Sequence, residues 1–307
     1  MNRVLLVGPD RAGDVLSVIL GSFGDRAPLD PPATATEETS DSVAAALAAH
    51  GGLLAEVDGA PAAALLFQPE GGWLGLRRVG VLARARRTGV AQEMVAAAEA
   101  ETRARGLVGT RLVAREELPS TVRFWTRLGY AEAGRVGSQI QLRRLLPFDL
   151  VLPDAAATRA LGRRLAAELA AGDLVILTGD LGAGKTTLTQ GLGDRLGVRG
   201  DVTSPTFVIA RVHPSLGDGP ELVHVDAYRL DGAAELDDLD LDTDLDLAVT
   251  VVEWGEDLAE SLAADRIEVA LRRDHTGESE ERLATVTPVG SRWLDPGLPA
   301  RLSGRLA

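Results

Sequence analysis

Residues 179–187 read Gly-Asp-Leu-Gly-Ala-Gly-Lys-Thr-Thr, and Lys185 within them is the only lysine in a chain that carries 31 arginines. The run follows an apolar stretch, Leu174–Thr178, and precedes a segment of helical character from Lys185 to Leu196. A strand, a glycine-rich turn and a helix N-terminus in that order make a phosphate cradle. The glycines let backbone N–H groups wrap an anion, and the helix dipole adds to the field. Gly, four residues, then Gly-Lys-Thr is the P-loop pattern. Asp180, Leu181, Gly182, Ala183, Gly184, Lys185, Thr186 and Thr187 are therefore the expected nucleotide-binding residues. Lys185 would reach the terminal phosphates as a compact point charge, a role that a guanidinium does not reproduce. Thr186 would offer its hydroxyl to Mg²⁺.

The chain has 307 residues, more than one ordinary core supports, so two domains are expected. Leu145–Pro153 contains two prolines and marks the boundary, giving domains 1–146 and 147–307. An apolar content of 45% is too high for disorder, and the absence of cysteine excludes disulfides, thiolate metal sites and a cysteine nucleophile. No run is long and apolar enough to span a bilayer, and the N-terminus lacks the form of a secretory signal. A cytoplasmic protein with no membrane association is expected. Charge is unevenly spread. Residues 1–150 balance 17 arginines against 17 acids, so the net charge of −13 lies wholly in residues 151–307. That half would repel a phosphate backbone and would suit a protein partner with a basic face.

Both halves read as α/β. In the first, strands are expected at Val4–Val7, Leu53–Val57, Ala62–Phe67, Trp73–Leu82, Leu112–Ala114, Ala131–Val136 and Gln139–Leu142. Helices are expected at Ala12–Phe23, from a cap at Ser40 or Asp41 through Ala49, from Gly89 to Arg105, and over Ser120–Leu128; Leu29–Thr39 reads as a loop. In the second, Ala155–Ala170 is amphipathic, with Leu161, Leu165 and Leu169 at helical spacing. Phe207–Val212, Leu222–Val225, Val249–Val252, Ile267–Leu271 and Leu283–Thr287 read as strands. Ala233–Asp238 and Glu256–Leu262 read as helices, and the end of the chain, with Pro296 and Pro299, as frayed.

A magnesium site needs a carboxylate at the end of a neighbouring strand. Val249-Thr-Val-Val-Glu253 has that form, and Leu222-Val-His-Val-Asp226 repeats it. His224 lies two positions before Asp226 and can share its face, with core packing as the expected role. The Asn-Lys-x-Asp loop that selects guanine cannot exist here, since Asn2 is the only asparagine and the lysine is committed; ATP is favoured. The runs GDLGAGKTTL (179–188), TSPTF (203–207), HVDAYRL (224–230) and VEW (252–254) together resemble the TsaE family, the ATPase subunits of bacterial tRNA threonylcarbamoyladenosine synthesis. The resemblance covers about residues 148–290. It implies an ATPase that acts with TsaB and TsaD on adenosine 37 of tRNA, meeting tRNA only through that complex. By the same resemblance Thr186 and Glu253 handle Mg²⁺, and Asp226 is an essential acid. Ser204–Thr206 form a nucleotide-sensing loop that includes Thr206, and Trp254 belongs to the motif without an assigned role. Lys185, Asp226 and Glu253 are the expected catalytic set. Val225-Asp-Ala-Tyr228 departs slightly from the family's usual Phe-Asp-Leu-Tyr.

In the first half, Arg86-Arg87-Thr88-Gly89-Val90-Ala91 fits an Arg-x-x-Gly-x-Ala anion loop, after a strand that ends near Val81. Backbone amides and a helix N-terminus would again face a pyrophosphate, with Arg84, Arg86 and Arg87 adding charge. A hairpin, a strand, this loop, a long helix, a strand and Phe124-Trp-Thr-Arg-Leu-Gly-Tyr130 together resemble the GNAT acetyltransferases over about residues 1–144. That implies acetyl-CoA as a cofactor. Three features depart from the family. Trp125 stands where a tyrosine usually reprotonates the CoA thiolate, and an indole has no usable acidity. The family's asparagine before this helix is missing, and no carboxylate lies in Trp73–Val81. Tyr130 occupies a packing position. The expected architecture is thus α/β throughout, an N-terminal GNAT-like mixed sheet with helices and a C-terminal P-loop NTPase-like α/β domain. Two other readings stay open: a P-loop kinase, with Arg229 as the nearest lid arginine, and an acetyltransferase regulated by the ATPase half.

Overall fold

The computed structural model describes residues 2–24, 34–229, 247–273 and 280–305. The chain divides into two compact units, Met1–Leu146 and Pro147–Ala307.

The first unit is a seven-stranded sheet: β1 (Asn2–Val7), β2 (Gly52–Val57), β3 (Ala60–Glu70), β4 (Trp73–Val81), β5 (Gly109–Arg115), β6 (Ala131–Val136) and β7 (Gln139–Leu145), in the order β1-β2-β3-β4-β5-β7-β6. Among the described residues four helices flank it, α1 (Ala12–Gly24), α2 (Ser40–His50), α3 (Val90–Ala104) and α4 (Pro119–Arg127). The inner strand β3 is apolar at successive positions because both of its faces are covered. Ala63, Leu65 and Phe67 pack with Met94, Val95 and Ala98 of α3 and Trp125 of α4. Ala64 and Leu66 pack with Val15, Val18 and Ile19 of α1 and Val43 and Leu47 of α2. All neighbours are antiparallel except β4 and β5, which are parallel and paired only through Trp73–Gly75 and Gly109–Arg111. Beyond that point β4 runs on to Val81 and β5 to Arg115 without pairing each other, so a gap opens in the middle of the sheet.

The second unit has strands β8 (Phe148–Leu152), β9 (Leu174–Thr178), β10 (Ala210–His213), β11 (Glu221–Asp226), β12 (Ala248–Glu253), β13 (Arg266–Arg273) and β14 (Arg282–Val289), ordered β10-β11-β12-β9-β13-β14-β8. Among the described residues its helices are α5 (Ala155–Ala166), α6 (Lys185–Leu196) and α7 (Leu298–Ser303). The four inner strands, β11, β12, β9 and β13, are parallel, and the outer ones are antiparallel. Such a sheet collects ligands beyond the C-terminal ends of its parallel strands. Helices α5 and α6 touch backbone to backbone: a Cβ on Gly162 would lie 2.2 Å from the Leu188 carbonyl oxygen, and one on Gly191 2.1 Å from that of Arg159. Two glycines thus fix how closely the helix bearing Lys185 is held.

Several expectations need correction. The boundary stretch Leu145–Pro153 is largely strand, which its prolines did not suggest: Leu145 closes the first sheet, and Phe148–Leu152 is an edge strand of the second. The cap of α2 is Thr39, whose hydroxyl accepts from Ser42 N while its own N–H donates to Ser42 Oγ. Thr34–Glu37, at the end of the expected loop, form a 3-10 turn, and residues 29–33 lie outside the described residues. Helix α5 ends at Ala166, short of Ala170. Phe207–Ile209 are a turn, with Ile209 at φ 68°, and the strand begins only at Ala210. Glu256–Leu262 are turns because Asp257, at φ 61°, takes a left-handed conformation that stops a helix at once. The chain end is not frayed: α7 starts on a proline-containing first turn and buries Leu298 and Leu302. The helix expected near Ala233–Asp238 lies outside the described residues.

Candidate functional site

The P-loop joins the C-terminal end of β9 to α6. Gly179, Gly182 and Gly184 take φ values of 134°, 78° and 107°, a left-handed backbone that only glycine adopts freely. Asp180 lends its carbonyl to Ala183 N at 3.0 Å, Ala183 is buried, and Leu181 is 92% exposed at the tip. Lys185 is only 5% exposed. Its Nζ donates to the Gly179 carbonyl at 2.6 Å and to the Asp180 carbonyl at 3.1 Å, and lies 3.7 Å from the centre of the Trp254 ring. Burial depresses its pKa, while Glu253, Asp226 and Asp180 work in the opposite sense.

Both predicted acids stand at the C-terminal ends of adjacent parallel strands, with Asp226 opposite Glu253 in the register of β11 and β12. The Thr186 hydroxyl donates to Glu253 at 2.9 and 3.3 Å from its two oxygens. Asp226 accepts from Ser204 Oγ at 2.9 Å, from the Thr206 hydroxyl, and from Tyr228 N at 3.1 Å. His224 is fully buried as expected, but it is more than packing: its Nε2 lies 2.9 Å from Glu253 Oε1. Trp254 follows β12 at φ 62°, a conformation costly for a bulky residue, pinned by its N–H to the Leu177 carbonyl at 2.8 Å. That turn lays the indole over Lys185 and against Tyr228, ring centroids 5.1 Å apart.

These groups surround one cavity of about 340 Å³, lined by Leu181, Gly182, Gly184, Lys185, Thr186, Thr187, Ser204, Thr206, Asp226, Tyr228, Glu253, Trp254 and Arg282. Asp180 and Ala183 shape the loop without lining it. Tyr228 and Arg282 were missed by sequence reasoning; Arg282 comes from a strand nearly a hundred residues on, and no local pattern marks it. A hydroxyl and a carboxylate side by side are hard oxygen donors suited to Mg²⁺, which keeps waters and phosphate oxygens as its other ligands. Among the described residues no group of three or more His, Asp or Glu offers a full protein cage, consistent with that partial donor set.

In the first unit, Val81 ends β4, and the loop after it turns through Arg87 (φ 67°) and Gly89 (φ 87°) into α3. Thr88 is held by its hydroxyl to the Ala85 carbonyl at 2.8 Å, Val90 is buried, Ala91 lies in the first turn of α3, and Arg86 and Arg87 are exposed. The Arg84 guanidinium is taken up by the Pro61 carbonyl at 2.5 Å. Trp125 is buried edge-on to Phe124 and Tyr130. Tyr130 is buried too, its hydroxyl accepting from Thr110 at 2.7 Å, and burial raises its pKa. No acidic phenol is offered there.

The second unit is therefore a P-loop α/β domain with an acid beside the loop's threonine. Residues 152–283 match the model of the family described as threonylcarbamoyl adenosine biosynthesis protein TsaE. A TsaE from Streptomyces coelicolor is 64% identical over 137 residues, 44% of this chain and 93% of that protein. One from Mycobacterium tuberculosis is 51% identical over 141 residues, 44% of this chain and 83% of that one. The chain belongs to the TsaE family. Residues 23–130 match the model of the GNAT acetyltransferase family, so the TsaE unit is fused to a GNAT domain. Among solved structures, Bacillus subtilis YdiB aligns at 32% identity and TM-score 0.41, over 52% of this chain and 95% of that one. PaiA N-acetyltransferase of Thermoplasma acidophilum, in complex with coenzyme A, aligns at 11% identity and TM-score 0.43, over 47% and 99%. No helix among the described residues is long and apolar enough to cross a membrane.

Proposed function

We propose that residues 147–307 bind ATP with Mg²⁺ and hydrolyse it slowly, supporting threonylcarbamoylation of tRNA alongside TsaB- and TsaD-like partners, while the first unit binds acyl-CoA. The observation that carries the first part is the Thr186–Glu253 contact of 2.9 Å beside Lys185. A metal bound there would neutralise charge on the terminal phosphates. Lys185 exchanges the Gly179 and Asp180 carbonyls for phosphate oxygens, Glu253 is oriented by His224, and Asp226 is held ready by Ser204 and Thr206. Either acid is placed to orient a water for in-line attack. Slow turnover suits a protein whose nucleotide state gates association with a partner. For a kinase the lid arginine would have been Arg229, but its guanidinium lies 5.0 Å over the Phe207 ring and does not line the cavity.

The test is complementation of a strain that lacks the gene, read as the modified nucleoside in tRNA. The full chain restores it and Lys185→Ala does not; restoration by a folded Lys185→Ala protein contradicts the reading. Capture of TsaB- and TsaD-like proteins from the native extract should depend on ATP.

For the first unit, the exposed Arg86 and Arg87 beside the left-handed Gly89 support an acyl-CoA pyrophosphate at the N-terminus of α3. Titration of acetyl-CoA into the full chain checks this.

A further inference from the structure

The gap between β4 and β5 is a cleft of about 590 Å³. Its lining is one-signed. Arg77 and Arg78 come from β4, Arg111 and Arg115 from β5, and Arg143 from β7, with three glutamines and no carboxylate among the described lining residues. Three of the five guanidiniums have acidic partners that do not line the cleft: Arg78 meets Glu38 at 2.7 Å, Arg115 meets Glu117 at 2.7 Å, and Arg111 meets Glu70. Arg77 and Arg143 have no carboxylate at ion-pair distance among the described residues, and Arg143 rests over the Trp73 ring at 5.5 Å.

From this we infer that the cleft takes an acetyl acceptor carrying carboxylates beside a primary α-amine, an inference that rests on acyl-CoA binding by the same unit. The charge argument disfavours an acceptor of net positive charge, such as a lysine-rich peptide, and it draws carboxylates to planar guanidiniums. The described lining offers no carboxylate as a base, which points the same way. Among the carboxylates that pair with lining arginines from outside the cleft, Glu38 is the one held by Arg78. Burial works against its charge, yet hydrogen bonds from Ser42 and Arg78 prevail and hold it below the usual carboxylate range. With no carboxylate among the described lining residues to deprotonate it, the acceptor gives up its proton to water. A peptide's terminal α-amine titrates near 7.7–8.0 and a lysine near 10.4, and neighbouring positive charge lowers both. The neutral amine then attacks the thioester carbonyl carbon, the C–N bond forms and the C–S bond breaks. The CoA thiolate leaves with the electron pair, and the surplus proton on nitrogen passes through water to the thiolate.

The experiment uses the full chain and acetyl-CoA and follows thiol release. Four acceptors are compared: a peptide beginning Ala-Asp-Glu, one beginning Ala-Lys-Lys, an acidic peptide with a blocked N-terminus and an internal lysine, and free glutamate. The acidic open peptide is expected to exceed the basic one at least tenfold in kcat/KM, with the gap narrowing at high salt and nothing formed from the blocked peptide. Arg77→Glu combined with Arg143→Glu should remove or invert the preference. Turnover of glutamate at the peptide's rate assigns a small-molecule acceptor, and turnover of the peptide alone assigns a polypeptide end. A preference for the basic peptide, acetylation of the internal lysine, indifference to the two substitutions, or no turnover of any acceptor by protein that binds acetyl-CoA overturns the inference. If acetyl-CoA itself fails to bind in calorimetry, the underlying reading falls. The cleft is then judged by titration with the acidic and basic peptides alone, where equal affinities refute its selectivity.

Discussion

Two loops in this molecule solve the same problem with different surroundings. Residues 86–91 and 179–187 each turn through left-handed backbone into a helix N-terminus, the arrangement that suits a phosphate. The first presents exposed arginines and, among the described residues, no acid that reaches it beyond Glu93 at the helix start. The second buries its single cation and sets Asp226 and Glu253 opposite, each tied to a hydroxyl. Arginines in solvent grip an anion and do nothing further. A buried ammonium facing fixed carboxylates can hold a phosphate, a metal and a water at once. The comparison teaches that what a phosphate loop can do beyond binding is set by the strands beside it, which here support the proposed hydrolysis.

The sharpest way to break that contrast is Lys185→Ala. ATP turnover by the full chain should fall by about a thousandfold, with circular dichroism unchanged, because the loss removes preorganised charge at the phosphates. Glu253→Gln keeps the shape but removes the negative charge, and phosphate release should drop about a hundredfold with a weakened dependence on Mg²⁺. Gly191→Ala tests the scaffold, since the new Cβ meets the Arg159 carbonyl at 2.1 Å. Overpacking of this kind costs about 1–3 kcal/mol, read as a lower denaturant midpoint. In the first unit, Arg86→Ala with Arg87→Ala should weaken acetyl-CoA about tenfold and leave ATP turnover untouched. The smallest effect is with pH. Burial lowers the Lys185 pKa, so the ammonium loses its proton at a lower pH than the usual lysine value of 10.5. ATP affinity should therefore decline as pH rises from 7.5 to 9.5, measured by calorimetry.

Much of this was legible in the sequence because it is local. The loop, its strand and its helix are contiguous, and so are the apolar runs that end in Asp226 and Glu253. What escaped was of two kinds. Turns hid where one left-handed residue overrides a favourable composition, as at Asp257 and Ile209. Contacts across the fold hid because no spacing records them: Arg282 at the nucleotide cavity, the Gly162–Gly191 helix contact, and five arginines from three strands around one cleft. His224 was read as core, and burial alone supports that; only the pairing of β11 with β12 shows that it also steadies Glu253. The short helix α7 was missed because two prolines suggested an unstructured end, although proline is at home in a helix's first turn.

The central claim is that the ammonium of Lys185 grips a triphosphate in this cavity. Calorimetric titration of ATP with Mg²⁺ into the full chain and into Lys185→Ala addresses it directly. The account predicts saturable one-site binding by the native protein and at least a thirtyfold weaker affinity in the folded variant. Equal affinities, or no binding by the native protein, would contradict it.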